Sequence, residues 1–440
     1  MHKAKVCLSL GVSSLLVGCG GVVGDGGADA GTPYEDCASP TWAGTVQLGT
    51  YEDDAAFDVG VDATGNIYIA GLTQGVFAGA VNHGLEDMLV VALDPTGSIK
   101  WSVQLGSPGS DSAERIAVAP GGTTLIAGYA TGDVAGPGSA LGDHDSAVAR
   151  ISPAGGLEWI VQRGSAAYDA AAGIAMDSTG AAIVAGITLE NQAQASEIYA
   201  SKLGPGGMPM ADERLGTQAN EAVGKAALNA QGSLYIAGGT TGLFGNFGGG
   251  SFDVYLTKLA PSLTVEWVRQ FGTVDIDGGQ SVEVDDAGDA YVAAVSYSNL
   301  VTGALEGDGV RDAFLLKYDS GGALQWVSRP AWTPGKHTVP WDVAVAKGVI
   351  YMVGWTEGDL AQMGNKGGKD AFVLKVNAMG ALEWARQLGS AGDDEARAVV
   401  VDGAGRVLVA GFTEGGLDGH VPLGKKDIFL AAFDATGTKL

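Results

Sequence analysis

The sequence of 440 residues predicts an all-β fold, a β-propeller of seven four-stranded blades, from an internal repeat and from its turn pattern. A unit of about 57 residues recurs seven times, and such a fixed period is typical of solenoids and propellers. The phrase VDATGNIYIAGLT (61–73) returns, for example, as VDGAGRVLVAGFT (401–413). One landmark glycine precedes each unit, at Gly49, Gly106, Gly164, Gly216, Gly272 and Gly389, with Ala331 in the sixth position.

Each unit contains four short apolar runs separated by Gly, Pro, Asp and Asn, which is the pattern of strands and turns. In the second unit these runs are AERIAVAP (113–120), TTLIAGYA (123–130), DSAVARIS (145–152) and LEWIVQRG (157–164). A four-stranded sheet of this kind has two apolar faces, so neighbouring sheets must stack. Radial stacking buries both faces and protects the edges, which predicts the propeller.

The two ends of the repeat region predict how the ring closes. The chain ends at DATGTKL (434–440), in the turn that elsewhere leads into an outer strand. The segment TWAGTVQLG (41–49) has the outer-strand pattern but no preceding strands of its own. We therefore expect this N-terminal strand to complete the seventh blade, within a propeller domain spanning 41–440.

The repeats resemble the bacterial β-propeller repeat called SBBP, which joins a GNxYxAGxT strand to a DAFVxKLDPxG strand and a tryptophan. DAFLLKYDSGG (312–322) and DAFVLKVNAMG (370–380) carry the second half of this pattern, and the resemblance covers 41–440. The third unit departs most, with Glu197 in an aspartate position and a shortened loop. The resemblance implies a propeller in an exported bacterial protein and no defined activity. LDPTGSIKW (93–101) and VDATGNIYIA (61–70) are more weakly similar to quinoprotein dehydrogenases and to NHL and streptogramin-lyase propellers.

The first 40 residues predict an export signal and a tether. Residues 1–18 combine Lys3 and Lys5 with an apolar stretch too short to span a bilayer. LVGC (16–19) resembles a bacterial lipoprotein box, which implies cleavage after Gly18 and lipid on Cys19; an ordinary secretory signal is the alternative. Gly20 favours the outer membrane by analogy with enteric lipoproteins. Residues 19–40 form a Gly- and Ala-rich tether that holds Cys37, the ordinary thiol left in the mature chain.

The net charge of the chain limits the classes of molecule that it can bind. The formal net charge is −25, and removal of 1–18 with its two lysines leaves 23 basic and 50 acidic side chains, or −27. Such a balance disfavours nucleic acid and anionic membrane surfaces, so the membrane is expected to be reached through the lipid on Cys19 alone. We expect a monomer whose partner is a protein or a glycan.

Two acidic series recur with the repeat; the first indicates turn capping, and the second indicates either turn capping or calcium binding. One begins each third strand, at Asp87, Asp145, Glu197, Asp253, Asp312, Asp370 and Asp427. The other follows each landmark position by five residues, at Asp54, Asp111, Asp169, Glu221, Asp277 and Asp394, with Lys336 in the sixth unit. Calcium takes six to eight oxygen ligands, and carboxylates that converge on one rim supply them. Carboxylates in these positions also accept turn N–H groups, which is the structural interpretation.

A candidate ligand pocket lies at the axial end of the first strands. There the sequence places side chains of mixed charge from different blades, with an indole beside them: Asp58, Arg115, Lys225, Ser281, Trp341 and Asp342. His337 lies in a connection on the same rim. Inter-blade ion pairing is the alternative role for these residues. His83, His144 and His420 fall in long loops at irregular offsets that do not match zinc-ligand spacing.

The variable loops between second and third strands, all on one rim, favour binding; surface loops that merely tolerate variation are the alternative for any single one. The sequence therefore predicts a non-enzymatic scaffold, anchored by lipid, that presents this rim to its partner. The alternative is an exported propeller enzyme, a lyase or a hydrolase, with its active site at the axial funnel. No nucleophile elbow, HExxH motif, P-loop or dinucleotide fingerprint is present in the sequence.

Overall fold

The computed structural model describes Trp42, residues 44–189, 195–245, 250–303 and 309–440. The expected signal sequence 1–18, the tether 19–40, Cys19 and Cys37 lie outside the described residues. Within these ranges the chain forms 28 strands in seven antiparallel four-stranded sheets. Among the described residues, no helix has the length and apolar character needed to cross a membrane.

The N-terminal strand β1 (Val46–Leu48) is followed by four strands for each of the first six blades and three for the seventh. Blade 1 contains β2 (Asp54–Val61), β3 (Ile67–Thr73), β4 (Asp87–Leu93) and β5 (Ile99–Leu105). Blade 2 contains β6 (Asp111–Val118), β7 (Thr124–Ala130), β8 (Asp145–Ile151) and β9 (Leu157–Arg163). Blade 3 contains β10 (Asp169–Met176), β11 (Ala182–Thr188), β12 (Glu197–Leu203) and β13 (Pro209–Leu215). Blade 4 contains β14 (Glu221–Leu228), β15 (Leu234–Thr240), β16 (Asp253–Leu259) and β17 (Val265–Phe271).

Blade 5 contains β18 (Asp277–Val284), β19 (Ala290–Ser296), β20 (Asp312–Tyr318) and β21 (Leu324–Ser328). Blade 6 contains β22 (Thr338–Ala346), β23 (Val349–Thr356), β24 (Asp370–Val376) and β25 (Leu382–Leu388). Blade 7 contains β26 (Asp394–Val401), β27 (Val407–Thr413) and β28 (Asp427–Phe433). The first strand of each blade is the innermost, and β2 contacts β26 and β27, so blade 1 packs on blade 7 and the ring is closed.

The N-terminal strand supplies the fourth strand of blade 7, as predicted. β1 runs antiparallel to β28, with Val46 opposite Leu430 and Leu48 opposite Ile428. Trp42, Val46 and Leu48 pack against the apolar cluster between blades 7 and 1. The first and last strands of the propeller are thereby held in one sheet, and the predicted seven-bladed architecture with this closure is confirmed.

The core is a set of seven apolar layers, one between each pair of neighbouring blades. Second and third strands are the most buried elements, and every residue of the second strands β15 and β27 and of the third strands β4 and β28 is buried. Their side chains alternate between the two adjacent blades, as the pleat of a strand requires. Outer strands are half-buried or exposed over most of their length.

A β-bulge in every first strand shapes the axial end of the ring. In blade 1 the pairing with β3 skips Phe57, and the same shift occurs in the other six blades. A bulged residue is unpaired and redirects its neighbours. The skipped residue, such as Phe57 in blade 1 or Trp341 in blade 6, directly precedes Asp58 or Asp342.

The strand register in blade 6 corrects one prediction about the second acidic series. Thr338 pairs with Thr356 in blade 6 just as Asp54 pairs with Thr73 in blade 1. The prediction that Lys336 takes the sixth position of the second acidic series is therefore wrong. The connection that enters blade 6 is two residues longer than in blade 1, which moves Thr338 into that position.

Candidate functional site

Three of the predicted axial residues meet in one ion-pair cluster. Lys225 on β14 places its Nζ atom 3.1 Å from Oδ1 of Asp58 on β2, and 3.0 Å from both carboxylate oxygens of Asp342 on β22. These strands belong to blades 4, 1 and 6, so one lysine links three blades across the axis. Both carboxylates are almost fully buried.

The two carboxylates also bind the neighbouring blades. Asp58 accepts a hydrogen bond of 2.9 Å from the backbone N–H of Ile116 in blade 2. Asp342 accepts one of 3.0 Å from the N–H of Val399 in blade 7 and one of 2.7 Å from the hydroxyl of Ser281 in blade 5. A buried charge is tolerated when it is paired and hydrogen-bonded, as both are here. The cluster, defined as Asp58, Lys225, Ser281 and Asp342, joins most of the ring at its centre.

The charge state of Lys225 follows from its neighbours. Burial acts to lower the pKa of its ammonium, but the negative charges of Asp342 and Asp58 outweigh burial and raise the pKa above the ordinary lysine value. The ammonium is therefore fully protonated at neutral pH. A lysine acts as a nucleophile or a base when its pKa is depressed, so the environment of Lys225 favours ion pairing.

Arg115 and His337 have other hydrogen-bond partners, although the charge of Arg115 is close enough to Lys225 to act against the rise of its pKa. Arg115 donates to the backbone oxygens of Gly224 at 2.9 Å and Glu114 at 2.7 Å. His337 accepts a hydrogen bond of 2.9 Å at Nδ1 from the backbone N–H of Arg311, which fixes it to the connection beside blade 5. The predicted pocket residues thus divide into a buried cluster, an arginine bound to backbone and a histidine on the rim.

Trp341, which directly precedes Asp342 of the cluster, belongs to a separate group of contacts. The guanidinium carbon of Arg397 lies 3.9 Å from the ring centre of Trp341 and 5.3 Å from that of Phe57. Glu395 accepts hydrogen bonds from the indole N–H of Trp341 at 3.1 Å and from Arg397 at 3.2 Å. Lys369 adds an ion pair to Glu395 at 2.8 Å. Sequence reasoning missed Phe57, Glu395 and Arg397, because the bulge that turns them towards one another is visible in the strand pairing alone.

Glu283 is a further axial residue that the sequence reasoning missed. It follows the cluster residue Ser281 on β18, at the level where the other first strands carry small or aliphatic residues: Gly60, Ala117, Ala175, Ala227, Ala344 and Val400. Burial raises the pKa of the Glu283 carboxyl to about 7, with Lys225 opposing and Asp342 adding to that rise. The signal that identifies it is the single acidic residue in this ring of small side chains.

The two acidic series cap turns on the rim. Asp54 accepts the backbone N–H of Thr50 at 2.5 Å and its hydroxyl at 2.9 Å. Asp111, Asp169, Asp277 and Asp394 bind the Ser or Thr four residues earlier in the same way, and Glu221 binds the hydroxyl of Thr217. In the other series Asp87 accepts the N–H of His83 at 2.8 Å and the side-chain amide of Gln104 at 2.8 Å.

The landmark glycines lie between the two series. A Cβ atom on Gly49 would collide with the carboxylate of Asp427 and would lie 3.2 Å from that of Asp54. These two carboxylates face each other across the backbone, and burial, with Asp427 adding to it, raises the pKa of Asp54 to about 6. The glycine therefore recurs because a carboxylate occupies the space that a side chain would need.

The structure gives no additional support to a metal centre. No group of three or more His, Cys, Asp or Glu side chains suited to a metal ion occurs in the described ranges. His144 packs between Tyr129 and Tyr168 at ring distances of 5.2 and 4.8 Å. The imidazole of His420 is hydrogen-bonded to the carbonyl oxygen of Thr45 at 2.8 Å, and the backbone N–H of His83 donates to the carboxylate of Asp87. Calcium binding through the acidic series stays a prediction.

Comparison with known proteins adds no family or activity. No protein-family model and no curated protein sequence matches this chain, so the resemblance to SBBP repeats stays a prediction. The WD40 domain of Pan2 from Neurospora crassa is 9% identical, with 88% of this chain and 95% of that one covered and a TM-score of 0.48. An α-L-arabinanase from Penicillium chrysogenum is 12% identical, with coverages of 90% and 99% and a TM-score of 0.45. YCF48, solved with a D1 peptide, is 10% identical, with coverages of 88% and 95% and a TM-score of 0.44. Likeness at this level carries no argument about function, and the fold is established by the strand pairing itself.

Proposed function

We propose that this chain is an exported, lipid-anchored binding scaffold, without catalytic activity, that docks a protein or a glycan on its loop rim. The observation that carries the proposal is where the exposed apolar side chains lie. Of 22 large apolar residues exposed in the described part of the chain, 13 lie on this rim. They are Tyr51, Val76, Val81, Leu85, Leu141, Leu243, Val274, Ile276, Val301, Trp332, Met363, Val421 and Leu423.

Exposed apolar groups gathered on one face are typical of interaction surfaces, because water is displaced from them on docking. Val421 and Leu85 are 80% and 69% exposed and come from loops of adjacent blades. The opposite face carries fewer such groups, among them Met208 and Met379 in short turns. The rim is thus the face with the larger capacity for burial against a partner.

The axial cluster favours a scaffold over the enzyme alternative. Lys225, Asp58 and Asp342 bind one another and the backbone of adjacent blades, so their charges are already paired. A catalytic group must be free to exchange a proton or attack a substrate. The guanidinium of Arg397 is likewise stacked on Trp341 and paired with Glu395.

Site-specific photo-crosslinking in the producing bacterium tests the rim. A photoreactive amino acid at Val421 or Leu85 is expected to give discrete adducts, and the same residue at Met379 on the opposite face is the matched control. Purified protein is expected to be monomeric by light scattering, so an adduct with a second copy would contradict the expected monomer. Equal crosslinking from both faces, or none from the rim, would show that the rim is not the docking surface.

The lipid anchor has its own test, since Cys19 lies outside the described residues. Metabolic labelling with a fatty acid is expected to mark the parent protein and not Cys19→Ala, with Cys37→Ala as the control that keeps its label. Fractionation is expected to place the parent in the outer membrane and the Cys19 variant in the soluble fraction. A labelled Cys19→Ala protein would refute the anchor.

A further inference from the structure

A cavity of about 370 Å³ lies between blades 2 and 3. Its polar lining includes Ser146 and Arg163 of blade 2 and Tyr199, Ser201 and Asp212 of blade 3. Small-ligand sites typically have volumes of about 300–1000 Å³ and a few converging polar groups in an otherwise apolar wall. Val148, Val184 and Leu203 supply apolar wall here. The size and the lining both fit a small-molecule site.

The cavity is lined by polar residues at positions where several other blades carry apolar ones. Arg163 ends the outer strand of blade 2, opposite Ser146, where blade 1 has Leu105 opposite Met88. Ser201 stands in the third strand of blade 3, where blades 1 and 6 carry Val91 and Leu374. Asp212 faces the same gap from the outer strand of blade 3, where blades 2 and 4 carry Ile160 and Val268.

The polar groups are arranged in two hydrogen-bonded sets. Arg163 and Asp212 form two parallel bonds of 3.0 Å, and the hydroxyl of Ser201 donates to Asp212 at 2.6 Å. The hydroxyls of Ser146 and Tyr199 lie 2.6 Å apart across the gap. The guanidinium of Arg163 holds the pKa of the Asp212 carboxyl below its usual range, so the pair is ionised at neutral pH. Both charged side chains are part-exposed, at 38% and 51%, and a ligand can reach them.

We propose that this cavity binds a neutral polyhydroxylated molecule of the size of a monosaccharide or disaccharide. A carboxylate next to a guanidinium accepts and donates hydrogen bonds in one plane, which matches two adjacent hydroxyls of a sugar. The Arg163–Asp212 pair has no net charge, so it favours a neutral ligand over an ion. Ser146, Ser201 and Tyr199 add hydroxyls that act as donor or acceptor. Strands of two blades form most of the site, and Leu141 and Asp169 of the loop rim complete its lining.

Titration calorimetry of the full chain tests this proposal, with glucose, galactose, N-acetylglucosamine and maltose as probes. At least one probe is expected to bind saturably with one site per chain. Arg163→Leu introduces the residue that blade 1 carries at the matched position, so the variant is expected to fold. It is expected to lower the affinity at least about tenfold, and Asp212→Asn, which keeps the shape of the side chain, is expected to do the same.

Arg269→Leu is the matched control, because Arg269 lies on the outer strand of blade 4 and bonds Gly322 away from the cavity. It is expected to bind the sugar as tightly as the parent. Circular dichroism and melting of each variant separate a lost site from a lost fold. The proposal is overturned if no probe saturates, if the Arg163 and Asp212 variants bind like the parent, or if acetate or phosphate binds the cavity in place of the sugars.

Discussion

The junction between blades 2 and 3 and the junction between blades 6 and 7 share one strand register and differ in what fills them. At the second, Phe429 and Ala431 are completely buried in an apolar cluster, together with Leu388. At the first, the matched residues are Tyr199, Ser201 and Arg163, and a cavity remains. The same strand register therefore accommodates a polar site beside the apolar layer between two blades, and side chains at a few positions decide whether that site forms.

A second comparison concerns charge on the rim. Most junctions hold two facing carboxylates around a landmark glycine, as Asp427 and Asp54 do around Gly49. Between blades 5 and 6 the pair is absent: Thr338 replaces the second acid, and Arg329 forms an ion pair with Asp312. Ala331 is accommodated there where other junctions need glycine. Blades 5 and 6 thus pack through their apolar cluster without two facing carboxylates at the rim.

The largest expected effect is at the junction that depends on both termini. Deletion of 38–49 removes β1, leaves β28 as an open edge and uncovers the cluster that Trp42, Val46 and Leu48 protect. An unpaired strand edge pairs with other chains, so aggregation and a large loss of melting temperature are expected. Deletion of 22–34 in the tether is the control and is expected to leave melting unchanged. A 38–49 deletion that stays monomeric and melts at the parent temperature would contradict the closure.

Truncating one matched aromatic residue in each compares the junction between blades 6 and 7 with the cavity-containing junction between blades 2 and 3. Phe429→Ala opens a cavity in a filled layer and is expected to lower the free energy of unfolding by about 3–5 kcal/mol. Tyr199→Ala enlarges an existing cavity and removes one hydrogen bond, so a smaller loss is expected. Chemical denaturation of both variants measures the difference. Equal losses would show that the junction between blades 2 and 3 is as tightly packed as the other.

Repeat period and turn chemistry were sufficient to predict the blades, the closure by β1 and the neighbourhood of Asp58, Lys225 and Asp342. The cavity was not predictable, because its polar residues lie in different strands of two blades and face one gap only once the register is known. Thr338 was missed because a longer connection shifts the count of residues without shifting the pairing.

A lower pH is expected to increase the stability of the folded chain, because it protonates one of two facing carboxylates. The folded pKa of Asp54 is raised to about 6, so the folded chain binds the proton more tightly than the unfolded chain does. Its ionisation costs stability in full above about pH 7, and this cost is relieved as the pH falls from about 7 towards 4. Asp54→Asn is expected to raise stability at pH 8 by about 2 kcal/mol and to flatten the pH profile. Asp286→Asn, on an exposed turn, is the control; a profile unchanged by Asp54→Asn would rule out this cost.

Calcium is expected to give the smallest effect, since turn donors already satisfy part of each carboxylate. Asp54, Asp87 and Asp111 each keep one buried oxygen without a hydrogen-bond partner, and a cation between facing carboxylates would bind these oxygens and offset their repulsion. An ion that binds the folded chain alone raises the melting temperature by linkage. A rise of a few degrees at millimolar calcium is expected, reversed by chelator and reduced in Asp87→Asn. Lys336→Ala, beside the junction that lacks the pair, is the control that keeps the full rise. A melting temperature that responds neither to calcium nor to chelator would leave turn capping as the sole role of both acidic series.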